Sequence, residues 1–463
     1  MTKIKFGTDG WRGILADDFT FDNVEKVVKA ILAHVHFKGM GDKGLVVGYD
    51  TRFLGEKFAQ LATKLANSWG INVYLTDKPT PTPVIAYGVK EKGAAGAIMF
   101  TASHNPPEYN GIKFIPHYAG PATLEITKDI EKHLHNPQDY TPQVEGQTTI
   151  YNPWLDYKRH LTSLLDLAKL KGLKVVVDPM HGAGAEYLPS LLEEVGCEVI
   201  KINTNKDPYF GGSLPEPNLE HLEGLVNKVK EHNAQLGLAL DGDADRFGIV
   251  DHEGNYYVPN QLIPLLFQYL AEEDSTQNRV IRTVATTHLI DKMAAKLGYE
   301  VTETPVGFKY VGEAMEQGGV LIGGEESGGA SIHGHIPEKD GILVDCLVAL
   351  MVVKKGPLKE QWHGLLDEYG NFISKRLDLR VPEEKKESIL NNLRENTPTE
   401  VAGLKVVSVN RIDGTKMLLE DNSSWVLFRP SGTEPLLRVY IESNCQETFD
   451  KIAQWAKDYL DVE

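Results

Sequence analysis

A serine at the end of an apolar strand is the first feature of this sequence that could do chemistry. Ser103 lies in "TASHNPPEYNGIKF", residues 101–114, directly after the apolar run "AAGAIMF". A serine between a strand end and a turn stiffened by Pro106 and Pro107 is exposed and conformationally fixed, as a nucleophile must be. A turn serine that caps a short helix is the structural alternative. A Ser-His-Asp hydrolase fits poorly, because the ring of the adjacent His104 is expected to point away and the pattern Gly-x-Ser-x-Gly is absent.

Three aspartates alternate in a second polar loop, "DGDADR", which follows the apolar run "AQLGLAL". In an extended loop Asp241, Asp243 and Asp245 would face one side and offer Mg²⁺ a set of carboxylate oxygens. A calcium EF-hand loop needs glycine at its sixth position and glutamate at its twelfth, where this chain has Arg246 and His252. In phosphatases with an aspartate nucleophile the acidic motif closes the first strand of the domain, whereas this one lies far downstream of "VVVDPMHG". Like charges at this spacing repel one another without a cation, so the pattern favours a metal site over a solvated acidic turn.

Two more polar loops carry groups suited to a phosphorylated sugar. The loop "GGEESGG" places Glu325 and Ser327 among glycines that allow close backbone approach, and a carboxylate with a hydroxyl suits adjacent sugar hydroxyls. In "RPSGTEPLLR" the fork of Arg429 could bind a phosphate beside the amides and hydroxyls of residues 431–433, which are Ser431, Gly432 and Thr433. An ordinary glycine-rich loop and a hairpin-like turn are the alternatives.

A repeated plan of strands and helices positions these loops. Segments that begin at Gly44, Gly172 and Arg279 each run from a β-branched strand through an amphipathic helix and a glycine to a second strand. This order predicts three similar α/β domains with mostly parallel sheets, and open α/β sheets bind ligands at the carboxyl ends of their strands. Alternating strands beyond residue 370 and a last amphipathic helix predict a C-terminal α+β domain. We expect the four domains to be arranged around a central cleft. The expected boundaries are 1–148, 149–255, 256–369 and 370–463.

Composition narrows the class of protein. The chain has 463 residues, 48 basic and 65 acidic side chains and a net charge of −17, without a basic block. This balance argues against nucleic acid and anionic membranes as partners and requires a local positive cleft for any anionic substrate. The start lacks the apolar core of a signal peptide, and three widely spaced cysteines make neither a disulfide framework nor a zinc cluster. We expect a cytoplasmic enzyme or binding protein.

In order along the whole chain, "FGTDGWRG", "TASHNPPEYNGIKF", "DGDADR", "GEESGG" and "RPSGTEP" closely resemble the motifs of the α-D-phosphohexomutase family, the phosphoglucomutases and phosphomannomutases. The resemblance implies that Ser103 is phosphorylated and that its phosphate completes the coordination of one Mg²⁺ held by Asp241, Asp243 and Asp245. The substrate's phosphate would dock on Arg429 and residues 431–433, and Glu325 and Ser327 would hold the sugar. Transfer would give a hexose 1,6-bisphosphate that must turn end for end before its other phosphate returns to the serine.

The resemblance also assigns roles to single residues. Lys113 and His104 match family positions near the reacting oxygen, and a lysine with a lowered pKa could act as the general base. Arg12, Arg246 and Lys309 are expected to contact phosphate or substrate, with ordinary salt bridges as the alternative.

The resemblance further guides expectations about motion, substrate and partners. The fourth domain is expected to be hinged. Glu326 and Gly329 favour glucose phosphates, whereas "FGTDG" resembles the glucosamine branch. Phosphomannomutase and phosphoglucosamine mutase activities are the alternatives, with a phosphatase or a non-catalytic binding protein more remote. A monomer and a homodimer both fit.

Overall fold

A computed structural model describes residues 4–7, 10–430 and 436–462 of the chain. They form two compact units. The first comprises Met1–Val258, Gly312–Gly318 and Ser327–Leu358, and the second comprises Pro259–Val311, Gly319–Glu326 and Lys359–Glu463. The phosphate-loop residues Ser431, Gly432 and Thr433 lie outside the described residues.

A six-stranded sheet with flanking helices opens the first unit. Its strands and helices are β1 (Trp11–Ile14), α1 (Phe21–Phe37), β2 (Leu45–Tyr49), α2 (Gly55–Ser68), β3 (Val73–Leu75), α3 (Thr82–Lys92), β4 (Gly96–Phe100), β5 (Tyr109–Pro116), α4 (Leu124–His135) and β6 (Thr148–Ile150). The strand order is β1-β5-β4-β2-β3-β6. Strands β4, β2, β3 and β6 pair in parallel, while β5 pairs antiparallel with β4 and β1 pairs antiparallel with β5. β2 and β4 are buried along their whole length, as expected for central strands covered on both faces.

A five-stranded sheet of the same plan follows. It is built from α5 (Trp154–Leu164), β7 (Lys174–Asp178), α6 (Leu188–Glu194), β8 (Glu198–Lys201), α7 (Glu223–His232), β9 (Leu236–Leu240), β10 (Phe247–Asp251) and β11 (Tyr256–Tyr257). The order is β11-β10-β9-β7-β8, with β9, β7 and β8 parallel and the other two antiparallel. The first and second sheets therefore share a parallel core, β4-β2-β3 and β9-β7-β8.

The third copy of the plan lies in the second unit. Its elements, and those that follow it along the chain, are α8 (Pro259–Glu273), β12 (Arg279–Thr283), α9 (Leu289–Leu297), β13 (Glu300–Thr304), α10 (Phe308–Met315), β14 (Val320–Glu325), β15 (Gly329–Ile332), α11 (Gly341–Lys355) and α12 (Leu358–Tyr369). Both neighbours of β12, namely β13 and β14, pair with it in parallel. β15 and α11 cluster with the first unit.

The C-terminal part is antiparallel throughout its described strands. It consists of β16 (Ile373–Arg380), α13 (Glu383–Glu395), β17 (Glu400–Val401), β18 (Leu404–Asn410), β19 (Thr415–Leu419), β20 (Trp425–Pro430), β21 (Leu436–Ser443) and α14 (Gln446–Leu460). The order is β16-β21-β20-β19-β18-β17. The buried face of α14, including Phe449 and Ile452, packs in the core of this sheet.

The structure confirms the predicted fold class of repeated α/β units followed by an α+β part. Gly70, Gly196 and Gly298 follow the three repeat helices with φ of 75°, 94° and 79°, the left-handed conformation that the glycine pattern predicted. The antiparallel strands β5 and β10 were not predicted. β6 extends the first sheet to Ile150, and β11 extends the second sheet to Tyr257. The four domain boundaries stay a prediction.

Candidate active site

The serine loop and the aspartate loop meet within the first unit. Ser103 follows the carboxyl end of β4, and Asp241 follows the carboxyl end of β9. Ser103 Oγ donates a hydrogen bond to Asp241 Oδ2 at 2.7 Å. A Cβ atom on Gly242 would stand 2.5 Å from the carbonyl oxygen of Ser103, so only glycine allows the two loops to approach this closely.

The serine itself is held in an uncommon backbone conformation. Ser103 has a φ of +50° and its side chain is almost wholly buried, 1% exposed, where the sequence led us to expect an exposed residue. Its amide donates to Thr101 Oγ1 at 2.8 Å. A positive φ at a residue other than glycine costs free energy, so the surrounding contacts must hold the loop in place.

Arg52 supplies most of those contacts. Its guanidinium donates to four backbone carbonyls of the serine loop, at distances of 2.6–2.9 Å: Ser103, Asn105, Pro106 and Tyr109. Its Nε lies 3.3 Å from the buried carboxylate of Asp50. Burial raises the pKa of Asp50 to about 6, although the charge of Arg52 opposes the shift. Arg52 was not predicted; its signal in the sequence was "YDTR" at the carboxyl end of β2, the same sheet edge as Ser103.

Asn105 ties the loop to a further predicted residue. Arg12, which lies on β1, donates a hydrogen bond from Nη1 to Asn105 Oδ1. The predicted residue Arg12 is therefore placed beside the serine loop.

The three aspartates converge as predicted, although they stand on a turn and not on the extended loop from which the alternation predicted it. Their carboxylate oxygens lie within 4.8 Å of one another, and all three side chains are fully buried. Asp241 Oδ1 accepts from the backbone amides of Asp245 and Arg246, at 2.9 and 3.0 Å. Ala244, between the second and third aspartates, has a φ of +60°, which bends the loop back on itself.

Two lysines and a threonine surround the aspartates. Lys113 on β5 donates to Asp243 Oδ2 at 2.9 Å and to Asp245 Oδ2 at 2.8 Å. Lys339 Nζ lies 3.0 Å from Asp245 Oδ2, and Thr82 Oγ1 donates to Asp243 Oδ2 at 2.6 Å. Lys339 and Thr82 were not predicted: Lys339 stands in "PEKDG" and Thr82 in "TPTP", and neither stretch belongs to the motifs interpreted above.

The donor set fits a hard divalent cation. Asp243 Oδ1 and Asp245 Oδ1 are buried and accept no hydrogen bond from the described residues. Burial, and then the charges of Asp243 and Asp245, raise the pKa of Asp241 well above its usual value. Burial also opposes ionisation of Asp243, but Lys113 and the Thr82 hydrogen bond outweigh it and lower that pKa. A bound cation would satisfy the two unpartnered oxygens and remove the repulsion among the carboxylates.

His104 lies closer to the serine than expected. Its Nδ1 is 3.3 Å from Ser103 Oγ, so the expectation that the ring would point away is wrong, and the positive φ of Ser103 is the local feature that accompanies this turn. Burial, and then the charge of Arg246 among nearby cations, hold the pKa of His104 well below its usual value. The ring is therefore neutral at neutral pH. Because Ser103 Oγ donates to Asp241, the contacts do not form a Ser-His-Asp triad.

The remaining predicted residues are distributed over the two units. Arg246 in the first unit lies 3.6 Å from Glu216, through Nη1 and Oε1. Ser327 follows β14 and clusters with the first unit. The predicted residues of the second unit are Lys309 on α10, Glu325 at the end of β14 and Arg429 on β20.

A basic face of the C-terminal sheet carries Arg429. In the strand register Arg429 on β20 lies opposite Arg438 on β21, and Arg438 lies opposite Asp378 on β16. Arg376 stands two residues before Asp378 on β16, so its side chain is on the same face of the sheet as that of Asp378. The three arginines therefore share one face. Asp413 Oδ2 accepts from Arg429 Nε at 2.7 Å. Burial lowers the pKa of Arg429, but the charge of Asp413 outweighs it and the pKa is raised.

Family models match the chain in four successive parts. They are described as phosphoglucomutase/phosphomannomutase alpha/beta/alpha domains I, II and III and C-terminal domain, at residues 3–141, 155–254, 258–369 and 379–457. The chain belongs to the α-D-phosphohexomutase family. It is therefore a phosphohexomutase, an isomerase, as the motifs predicted, and it binds sugar phosphates.

Individual relatives extend over nearly the whole phosphohexomutase chain. A "Phosphoglucosamine mutase" of Caldicellulosiruptor bescii is 33% identical over 459 residues, covering 97% of both chains. A "Phosphoglucomutase/phosphomannomutase" of Thermococcus kodakarensis is 30% identical, covering 99% of this chain and 97% of the relative. The crystal structure of a Thermus thermophilus protein named "putative phosphomannomutase" matches with a TM-score of 0.86 and 32% identity, covering 99% of both chains. Within the described residues, no helix has the length and apolar content needed to cross a membrane.

Proposed function

We propose that this phosphohexomutase interconverts hexose 1-phosphates and hexose 6-phosphates through a phosphorylated Ser103 and a hexose 1,6-bisphosphate. The observation that carries the proposal is the 2.7 Å hydrogen bond from Ser103 Oγ to Asp241, in a buried group of three carboxylates with two unpartnered oxygens. A serine oxygen next to a site for a divalent cation suits phosphoryl transfer.

The metal ligands in this proposal are Asp241, Asp243 and Asp245, with the serine phosphate. Mg²⁺ bound there would neutralise charge on the transferred phosphoryl group. Lys113 and Lys339 would offset part of the charge of the aspartates and hold Asp245 in place. The double contact of Lys113 favours this role over that of a general base.

In the transfer step the bond between phosphorus and Ser103 Oγ breaks, and a bond from phosphorus to a sugar hydroxyl oxygen forms. The hydroxyl proton then needs an acceptor. The neutral ring of His104 is the group best suited to accept it, since its lowered pKa leaves a ring nitrogen lone pair available at neutral pH. The leaving Ser103 Oγ, 3.3 Å from His104 Nδ1, would then take a proton from the imidazolium and become a hydroxyl again.

Other predicted residues would bind the rest of the substrate. We propose that Arg429, aided by Arg376 and Arg438 on the same face, binds the non-reacting phosphate together with residues 431–433. Glu325, Ser327 and Lys309 would bind sugar hydroxyls or phosphate, and Arg12 and Arg246 would contact the phosphoryl groups near the serine. Hinged movement of residues 370–463 would allow the bisphosphate to turn, and unchanged scattering curves with and without sugar phosphate would contradict it.

Two observations favour different sugars as the preferred substrate. Glu326 favours glucose phosphate on sequence pattern, whereas the name of the Caldicellulosiruptor relative favours glucosamine phosphate. Glucosamine phosphate is therefore the first substrate to test, followed by glucose and mannose phosphates. The ratio of kcat/KM values decides among them.

The proposal is tested by replacing the serine. We expect Ser103→Ala to lose detectable isomerisation of every hexose phosphate while keeping its circular dichroism spectrum. Ser190→Ala, which removes an exposed helix hydroxyl of the same unit, is the matched control and should keep full activity. Sustained turnover by Ser103→Ala would refute the mechanism, and release of free phosphate faster than isomerised sugar would make the protein a phosphatase.

A further inference from the structure

A helix end outside the catalytic motifs supports the backbone of the metal-binding loop. The amide of Gly341, the first residue of α11, donates to the carbonyl oxygen of Ala244 at 3.1 Å. A Cβ atom on Gly341 would stand 2.4 Å from the carbonyl oxygen of Arg246. The helix end thus contacts the backbone on both sides of Asp245, and a larger residue at position 341 would have to displace it.

The preceding residue fixes this helix end. Asp340 is fully buried and caps α11, since its Oδ1 accepts from the amide of Leu343 at 2.9 Å. Its Oδ2 accepts from the hydroxyl of Tyr157 at 2.6 Å and lies 2.8 Å from His335 Nε2. The carboxylate therefore ties α11 to α5 and to the turn that contains His335.

The histidine contact continues away from the metal site. His335 Nδ1 lies 3.0 Å from His160 Nε2 on α5. In the tautomer of His335 that donates from Nε2 to Asp340, Nδ1 accepts from His160, so the hydrogen bonds run in one direction. Each member is thereby oriented by the next, and the set holds Asp340 in a single position.

The residue before Asp340 contacts a metal ligand directly. Lys339 Nζ lies 3.0 Å from Asp245 Oδ2. Three consecutive residues thus act on one loop: Lys339 on the carboxylate of Asp245, Asp340 on the helix end and Gly341 on the loop backbone.

From these contacts we propose that Asp340 and Gly341 are positioning residues that set the geometry of the aspartate cation site. The inference rests on the proposed function in one respect, the binding of a divalent cation by the three aspartates. Outer-shell partners of metal ligands usually contribute about 10- to 100-fold to metal affinity. We therefore expect the affinity for the cation, and not only the stability of the fold, to depend on both residues.

The experiment measures Mn²⁺ affinity of the folded enzyme by electron paramagnetic resonance and Mg²⁺ affinity by calorimetry. Gly341→Ala and Asp340→Asn are expected to raise the Kd of the cation about 10- to 100-fold, while Asp243→Asn is expected to remove binding. Tyr157→Phe removes only one hydrogen bond to Asp340, so we expect a smaller loss of about 2- to 5-fold. This milder variant keeps the test decisive if Gly341→Ala does not fold.

Two controls separate positioning from general destabilisation. Thr123→Ala removes the cap of α4 in the same unit. Gly96→Ala places a Cβ atom 2.5 Å from the carbonyl oxygen of Ile115, at the end of β4 away from Ser103. Both should lower the melting temperature of the metal-free protein and leave Kd unchanged.

The outcomes distinguish the inference from the proposed function. If Asp243→Asn loses the cation while Gly341→Ala, Asp340→Asn and Tyr157→Phe bind it as the wild type does, the positioning role is wrong and the proposed function stands. If the wild type binds neither Mn²⁺ nor Mg²⁺, both are wrong. If Kd rises in the two control variants as much as in Gly341→Ala and Asp340→Asn, the effect is general destabilisation and the inference fails.

Discussion

Exchange of Arg52 for lysine tests whether the serine loop is held ready for reaction. The guanidinium makes four hydrogen bonds of 2.6–2.9 Å to loop carbonyls, two from each terminal nitrogen. An ammonium group has three donors on one atom and cannot reproduce this fork, although it keeps the positive charge beside Asp50.

The size of the effect follows from the bonds that are lost. Lysine has three donors and must lose at least one of the four bonds, at about 1.5–3 kcal/mol for a bond to a charged group, so the loop is destabilised by at least about 1.5–3 kcal/mol. Since about 1.4 kcal/mol corresponds to a tenfold change, the opening constant of the loop should rise at least about 10- to 150-fold.

Hydrogen exchange measured by mass spectrometry reports this opening directly. The amides of Asn105 and Tyr109 donate to loop carbonyls, and the amide of Ser103 donates to Thr101, so a peptide spanning residues 101–109 carries protected amides. In Arg52→Lys their exchange should accelerate, and kcat should fall more than KM changes, because a displaced nucleophile loses its alignment.

A buried arginine elsewhere serves as the control. Arg282 forms ion pairs with Asp291 and Glu303 in the second unit and is equally buried. Arg282→Lys should leave exchange of residues 101–109 unchanged. Wild-type exchange of this peptide and wild-type kcat in Arg52→Lys would refute the reasoning.

Three further predictions concern pH, burial and phosphate binding. Burial, and then His335, lower the pKa of His160 to about 4, so the unfolded chain binds more protons than the folded chain in this pH range. The free energy of unfolding should therefore fall by about 1–2 kcal/mol as the pH drops from about 6.5 to 4. Denaturant titrations should show this loss in the wild type and not in His160→Gln. Asp345 is fully buried, neither of its oxygens has a hydrogen-bond partner among the described residues, and burial followed by the charge of Asp340 raises its pKa well above the usual value. A raised carboxyl pKa favours folding at acid pH and disfavours it as the pH rises. Asp345→Asn should therefore be more stable than the wild type by about 1–2 kcal/mol at pH 7.5 and equally stable near pH 3. The same difference from the wild type at both pH values would contradict this. Arg429→Lys should raise KM for hexose phosphates about tenfold with less effect on kcat, since a bidentate phosphate contact is lost, whereas an unchanged KM would remove Arg429 from the phosphate site.

Much of the fold could be predicted because the repeat is written in short-range patterns. Apolar β-branched runs, amphipathic helices and the glycines at 70, 196 and 298 identify each strand-helix-strand unit. The antiparallel strands β5 and β10 were not predicted. They directly follow the loops of Ser103 and of the three aspartates, and residues such as Lys113 on β5 were interpreted as catalytic candidates and not as parts of a strand. Their pairing with β4 and β9 depends on contacts that no local pattern shows.

The candidate site was predictable where function is concentrated in consecutive residues. The alternation of Asp241, Asp243 and Asp245 in one loop predicted their convergence. Arg52, Lys339 and Thr82 come from separate segments, and their roles depend on long-range contacts. Buried arginines and lysines are uncommon, but their burial is visible only in the folded chain.

The central claim is that one hydroxyl, on Ser103, carries the phosphoryl group. Peptide mapping by mass spectrometry after incubation with Mg²⁺ and a hexose 1,6-bisphosphate tests it most directly. The account predicts one added phosphoryl group, located on Ser103, that a hexose monophosphate removes as bisphosphate forms. A phosphoryl group on any other residue, or none on an enzyme that isomerises hexose phosphates, would contradict it.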